Sequence, residues 1–362
     1  MKIAIISPSL AQGGSERFVY EHAVAFKKLG HDCVIITRSA QHEYYASQLE
    51  RVGIRVLKRL RRRIVFSRLG WSGLNRFMHS VYSFLDYLKV APRQYDVILI
   101  NQIEAYVFLR AYRPLVQNAV VLLMSHKFQY PHDPYAGLTE RMRVYVMDEK
   151  QRRELIESGV GFDYVQYSLP LDLKKLGSVE YSRKNARLAY FARLSPERPI
   201  EFIFFALHVL RKRKPDVVLH IFGRGQLSFE QGRMVKILGL EESIVFEGHA
   251  SSIPDAIREK EISAVWLTCD GNTLGYASIE MMAYRVPLVL WNLDPSVIPE
   301  NYLADHDLER FVDRTLQILT DPGFALREVD RNYRYVSICC DVSKNAPRLL
   351  EFAAQTQQGA EL

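Results

Sequence analysis

Short apolar runs recur along the chain, separated by longer stretches whose apolar residues fall at helical spacing. In the first half, Ile3–Ile6, Cys33–Thr37, Val97–Ile100 and Val120–Met124 read as strands. In the second half, Leu188–Phe191, Val217–Phe222, Ile244–Glu247, Ala264–Leu267 and Pro287–Trp291 do the same. Between them, Phe18–Leu29, Glu201–Leu210 and Phe229–Leu238 carry amphipathic helical patterns, with Gly30 standing where the first should stop. Strands apolar on both faces, alternating with helices, predict α/β architecture with parallel sheets covered on both sides. A chain of 362 residues exceeds one ordinary core. Two Rossmann-like units are therefore predicted, residues 1–172 and 173–340, joined within the polar stretch Leu171–Asn185.

Composition narrows the class. An apolar share of 48% with 25% charged residues is that of a globular protein. No apolar run reaches the roughly 18 residues of a membrane span. The first residues break at Pro8 and lack the apolar core of a signal peptide. The four cysteines, Cys33, Cys269, Cys339 and Cys340, show no metal or redox spacing, so a reducing cytosol is expected. The net charge of +7 is unevenly spread: residues 1–172 hold 24 Lys and Arg against 16 Asp and Glu, and residues 173–362 hold 24 against 25. The basic excess points to an anionic partner for the first half.

In open α/β sheets ligands bind where the carboxyl ends of strands lead into helices, so those loops hold the candidate chemistry. The loop after the first strand carries Gly13-Gly14, with Ser15 as candidate helix cap ahead of Glu16. It is neither a dinucleotide fingerprint nor a P-loop, and both a plain turn and a phosphate-approaching loop stay open. A second loop carries Arg193 and Arg198 around Ser195-Pro196-Glu197, which reads as a helix start. Two guanidinium groups beside a helix head repel unless an anion such as a diphosphate joins them; two solvated arginines are the alternative. The third, Asp270 to Gly275, offers backbone N–H groups around Thr273 to Tyr276 and a carboxylate, Glu280, one turn into the next helix. That carboxylate suits a ribose diol, or is simply an acid favoured near a helix head. His126 stands just past an apolar strand.

Taken together, these loops resemble the family 4 retaining glycosyltransferases, whose fold is GT-B: two Rossmann-like domains facing across a cleft. The Gly-Gly-x-Glu loop of that family appears as Gly13-Gly14-Ser15-Glu16, followed by Gly30-His31. Its Gly-Arg-Leu-x-x-x-Lys-Gly segment appears as Ala192 to Pro199, its Gly-x-Gly as Gly223-Arg224-Gly225, and its Val-x-Phe-x-Gly strand as Val245 to Gly248. The end of its Glu-x7-Glu block appears as Glu280-Met281-Met282-Ala283 with Pro287. The resemblance implies roles. Arg193 and Arg198 would bind the donor diphosphate, Glu280 the ribose, and the amides near Leu274 and Gly275 the sugar or phosphate. Gly13, Gly14 and His126 would meet the donor from the first domain, and residues 341–362 would cross back to that domain as a helix over Val342–Phe352. No metal or other cofactor is implied; the co-substrate is a nucleotide-diphosphate sugar, with UDP favoured. The chain departs from the pattern at Asn272, where relatives keep an acid against the sugar.

One stretch lies outside this pattern. Lys58 to Phe77 holds seven Lys and Arg with Phe66, Trp71 and Phe77. A solvated loop is one reading; the other is docking on anionic lipid through Arg61, Arg62, Arg63 and Trp71. The second would suit a glycan or lipid-linked acceptor at the cytoplasmic face of the membrane. No nucleic-acid module accompanies it. The expectation is a peripheral, cytoplasmic transferase in polysaccharide or lipopolysaccharide assembly. A degenerate nucleotide-binding protein and a nucleotide-sugar epimerase of the same fold are the alternatives.

Overall fold

The computed structural model describes residues 1–7, 9–37, 44–58, 94–101, 119–122, 143–157, 163–182, 185–192, 194, 200–223, 225, 227–271, 274–293, 304–305 and 307–354. It forms two compact units, residues 1–172 with 341–362, and residues 173–340.

The first unit is built on seven strands: β1 (Lys2–Ser7), β2 (Asp32–Thr37), β3 (Arg55–Lys58), β4 (Val97–Asn101), β5 (Ala119–Leu122), β6 (Arg143–Val146) and β7 (Asp163–Gln166). All pair in parallel, in the order β3-β2-β1-β4-β5-β6-β7. Its helices include α1 (Gly14–Lys28), α2 (Tyr44–Arg51) and α3 (Glu149–Glu157). Ile3, Ile5, Ile35, Val97 and Leu99 are fully buried, as central strands covered on both faces require. Each such side chain contributes about 1.5–3 kcal/mol of burial. Helix α1 ends as expected at Gly30, whose φ of +82° lets the His31 and Gly30 N–H groups return to the carbonyls of Phe26 and Lys27.

The second unit holds β8 (Arg187–Phe191), β9 (Val218–Phe222), β10 (Ile244–Gly248), β11 (Ala264–Gly271), β12 (Leu288–Leu293) and β13 (Ala304–Asp305), again all parallel, in the order β10-β9-β8-β11-β12-β13. Helices α4 (Ile200–Arg213), α5 (Phe229–Ile237), α6 (Ile253–Glu259), α7 (Tyr276–Ala283), α8 (Leu308–Thr320) and α9 (Pro322–Cys339) accompany it. Its core gathers Tyr190, Phe204, Leu207, Leu219, Ile221, Trp266 and Phe311, and the Trp266 indole donates to Thr315 Oγ1 at 2.9 Å. The chain then returns as α10 (Val342–Ala354), which packs against α1 and β4 of the first unit. Among the described residues, no helix is long and apolar enough to cross a membrane.

Two expectations change in detail. Helix α1 starts at Gly14 rather than Phe18, and Gly13, not Ser15, is its cap. Gly13 is extended at φ −145° and its carbonyl already accepts the Arg17 N–H, which places Ser15 inside the first turn. Strand β11 runs four residues beyond Leu267 because Thr268 to Gly271 still pair with β12 around a bulge.

Candidate functional site

Both sheets have a point at which the chain reverses the direction of strand addition, and such points open the crevices in which α/β sheets hold ligands. In the second unit it lies between β8 and β11, neighbours in the sheet but separated in sequence by β9 and β10. The loop carrying Arg193 and Arg198 leaves β8, and the turn carrying Asn272 to Gly275 leaves β11. The strands run in register, with Tyr190 opposite Trp266. The buried Tyr190 hydroxyl reaches Thr268 Oγ1 at 2.8 Å and fastens the two carboxyl ends just below the loops.

The loop after β8 is shaped from outside. Leu194 bridges to Gly225, which follows β9 with φ +132°. A Cβ on Gly225 would overlap the Leu194 carbonyl oxygen, so no other residue fits there without moving the loop. The Ala192 N–H bonds to the Phe222 carbonyl at 3.1 Å, and the Gly223 N–H to the Gly248 carbonyl at 2.7 Å. Phe191 and Phe222 stack at 4.7 Å beneath them. The Gly-x-Gly and the glycine ending β10 thus act as braces for the arginine loop. Arg193 and Arg198 themselves lie outside the described residues.

The turn after β11 enters α7 at Gly275, the helix cap, with no side chain bonded there. The head of α7, the end of a helix that favours negative charge, thus lies at this switch point. Leu274 is 3% exposed and anchors the turn in the core, whereas Gly275 is exposed, and no atom of the other described residues lies within 4 Å of where a Cβ would stand. Glu280 is the fifth residue of α7, one turn in as expected, and half-buried. Asn272 and Thr273 lie outside the described residues.

In the first unit the reversal falls between β1 and β4. The Gly13-Gly14 loop leaves β1 there, and Asn101 ends β4 beside it. Gly14 is exposed at the head of α1 and Gly13 partly so. Asn101 is fully buried; its Nδ2 donates to Ser7 Oγ at 3.0 Å and to the Ser15 carbonyl at 3.3 Å. Glu16 is 9% exposed and accepts from the hydroxyls of Ser9 and Ser15. Sequence reasoning passed over Ser9, Ser15 and Asn101 as site-building residues. The available signal was a polar residue closing a buried strand, as Asn101 does in Val97–Asn101. His126, Arg61, Arg62, Arg63 and Trp71 lie outside the described residues.

Comparison with known proteins bears on the fold. Residues 185–321 match the family described as glycosyl transferases group 1. A poly(ribitol-phosphate) alpha-N-acetylglucosaminyltransferase of Staphylococcus aureus (strain COL) is 20% identical over 190 residues, 50% of this chain; the match spans 38% of that relative's length. Among solved structures, Anabaena HepE in complex with UDP superposes with a TM-score of 0.74 at 16% identity, covering 97% of this chain and 99% of that one. S. aureus TarM, solved with fondaparinux, alpha-GlcNAc-glycerol and UDP, gives 0.71 at 11% identity, over 98% and 100% of the two chains. The lipopolysaccharide outer core galactosyltransferase WaaB gives 0.69 at 17% identity, over 97% and 100%. These likenesses establish the fold as that of the GT-B glycosyltransferases.

Proposed function

With residues 185–321 a group 1 glycosyl transferase domain inside a chain of GT-B fold, we propose that the protein is a retaining glycosyltransferase. It moves a sugar from a nucleotide-diphosphate donor, UDP favoured, onto a glycan or lipid-linked acceptor. One observation carries the reading: the arginine loop and the Gly275–Glu280 turn leave adjacent strands at the same switch point of the second sheet. Relatives named for sugar transfer and solved with UDP support it.

The chemistry follows from what such a site supplies. Breaking the bond between sugar and diphosphate leaves negative charge on the departing phosphate. Guanidinium groups from Arg193 and Arg198 and the N–H groups at the head of α7 would stabilise that charge, preorganised and without reorientation. Glu280 would hold the ribose hydroxyls and fix the donor's register. No residue is assigned as a covalent nucleophile; the departing phosphate would assist attack on the face it leaves, which retains configuration. With the charge met by the chain's own groups, no metal is required. The basic stretch from Lys58 to Phe77 would hold the enzyme on anionic lipid at the cytoplasmic face, where a lipid-linked acceptor is presented.

The test is a thermal-shift screen of the full chain against UDP-, GDP-, dTDP- and ADP-sugars, followed by nucleotide release with and without acceptor glycans. A UDP-sugar is expected to raise the melting temperature and to release UDP, with the anomeric configuration kept and turnover unchanged by EDTA. Glu280→Ala should lose the shift while keeping its fold. Arg61, Arg62 and Arg63 changed together to Ser should no longer sediment with anionic vesicles. A chain that no nucleotide stabilises would overturn the proposal. A shift without turnover would favour a non-catalytic nucleotide binder, the reading to which Asn272 in place of an acid points.

A further inference from the structure

The Gly13-Gly14 loop is held by one carboxylate. Glu16 projects from the first turn of α1 and folds back on the loop that precedes it. Its Oε1 accepts the Ser9 hydroxyl at 2.5 Å and its Oε2 the Ser15 hydroxyl at 2.8 Å. Ser9 opens the loop and Ser15 closes it, so a single side chain spans the segment between them. Gly13 lies directly against Oε2, where a Cβ would fall inside van der Waals contact. The ties continue below. Ser7 Oγ donates to the Ser9 carbonyl at 2.8 Å, and Asn101 Nδ2 links Ser7 Oγ to the Ser15 carbonyl. The loop is thereby fastened to the carboxyl ends of both β1 and β4.

An acid present only to favour the helix dipole gains from being near the helix head and has no need to be buried. Glu16 is buried, and both its oxygens are used. The two serine hydroxyls are met by the two planar acceptor oxygens of one carboxylate. A Cβ at Gly13 would push Oε2 out of its place, so the glycine leaves the carboxylate room to make both bonds.

We infer that Glu16 is a positioning residue: it acts through Gly13 and Gly14, holding their backbone at the switch point between β1 and β4, where an α/β sheet meets its ligand, without itself touching substrate. The inference rests on the glycosyl-transfer reading for its consequence, but the clasp itself is independent of it. A loop displaced by about 1 Å lowers turnover by up to ~100-fold when it positions the reacting groups. The diphosphate-nucleotide contacts assigned above belong to the second unit and are left intact.

The test compares Glu16→Ala, Glu16→Gln and Ser15→Ala in the full chain. Glu16→Ala should lower kcat between about 10- and 100-fold with UDP affinity kept within about twofold of wild type. Glu16→Gln should restore kcat to within about threefold, because the amide oxygen still accepts from one serine while its nitrogen donates to the other. Ser15→Ala, which removes one tie, should fall between. Hydrogen exchange of a peptide covering residues 9–16 supplies a readout free of any substrate: exchange should speed up in Glu16→Ala and return to the wild-type rate in Glu16→Gln. Wild-type turnover in Glu16→Ala, unchanged exchange, or a Gln variant as impaired as Ala overturns the inference. If the wild-type chain turns over no donor, the transfer reading fails, and the exchange rates alone decide whether the clasp exists.

Discussion

Gly225 occupies a backbone conformation of φ +132°, directly against the Leu194 carbonyl. An alanine there meets two obstacles at once, a φ that L side chains rarely adopt and an overlap with main-chain atoms that cannot swing aside. Each of these effects alone costs about 1–3 kcal/mol. Together, about 2–6 kcal/mol, they are expected to lower the melting temperature of Gly225→Ala by roughly 4–24 °C, at 2–4 °C per kcal/mol for a unit of this size. Because the bridge from Gly225 supports the loop of Arg193, donor affinity should fall by more than the stability loss explains. Isothermal titration with UDP at a temperature where the variant remains folded checks this; unchanged affinity would show that the brace does not matter to the arginine loop. Gly275 is the contrast, a glycine whose Cβ would meet no other described residue, so nothing there shows a clash that the missing side chain relieves.

At the level of elements, the strands read most easily from the chain are those buried on both faces. Continuous apolar runs mark β1, β2, β4, β8 and the start of β11, and they locate the loops that follow β1, β8 and β11. The edge strands β3 and β7 are four residues each, with charged or polar ends and partly exposed side chains, so no run announces them. Strand β6 is hidden for another reason. It begins with Arg143, a buried charge whose partners lie about two hundred residues further on: the guanidinium donates to the carbonyls of Phe352 and Ala353 at 2.8 and 2.7 Å. A cation at a helix C-terminus satisfies carbonyls that the helix leaves unpaired, and nothing in the local sequence reveals that arrangement. The site was legible to the same extent. Its loops follow from strand order, while the Glu16 clasp and the Tyr190–Thr268 tie needed the pairing of distant segments. Arg143→Met should destabilise the chain by about 2–3 kcal/mol through lost hydrogen bonds to charge, with the first new proteolytic cut falling in α10. Limited proteolysis with mass spectrometry reads the position, and a first cut elsewhere would place the weak point outside the Arg143 contact.

Across the whole molecule, acid is expected to act first on the first unit. His22 is buried among Phe18, Phe26 and Tyr145, with Nδ1 donating to the Phe18 carbonyl at 3.1 Å. Burial pushes its pKa down to about 4, against 6.5 for the free side chain; the bond to Phe18 works the other way but is the weaker influence. The folded state thus keeps His22 neutral, and the unfolded chain binds the proton first as pH falls. Stability is fully present above pH 6.5 and declines through the window from 6.5 to about 4, by about 3 kcal/mol in total. Melting temperatures measured across that window should fall in wild type and fall less steeply in His22→Leu; parallel slopes would exclude His22 as the cause. The same unit has a less obvious property. Its sheet begins at Lys2, yet α10, with Ala346, Leu349, Leu350 and Ala353 buried, comes from residues 342–354. During synthesis the second unit is complete while the first still lacks a helix, although most of the first left the ribosome earlier. The earlier-made unit is therefore the later to finish folding, and a chain stopped at Asp341 would carry a complete second unit and a first unit with an uncovered apolar face.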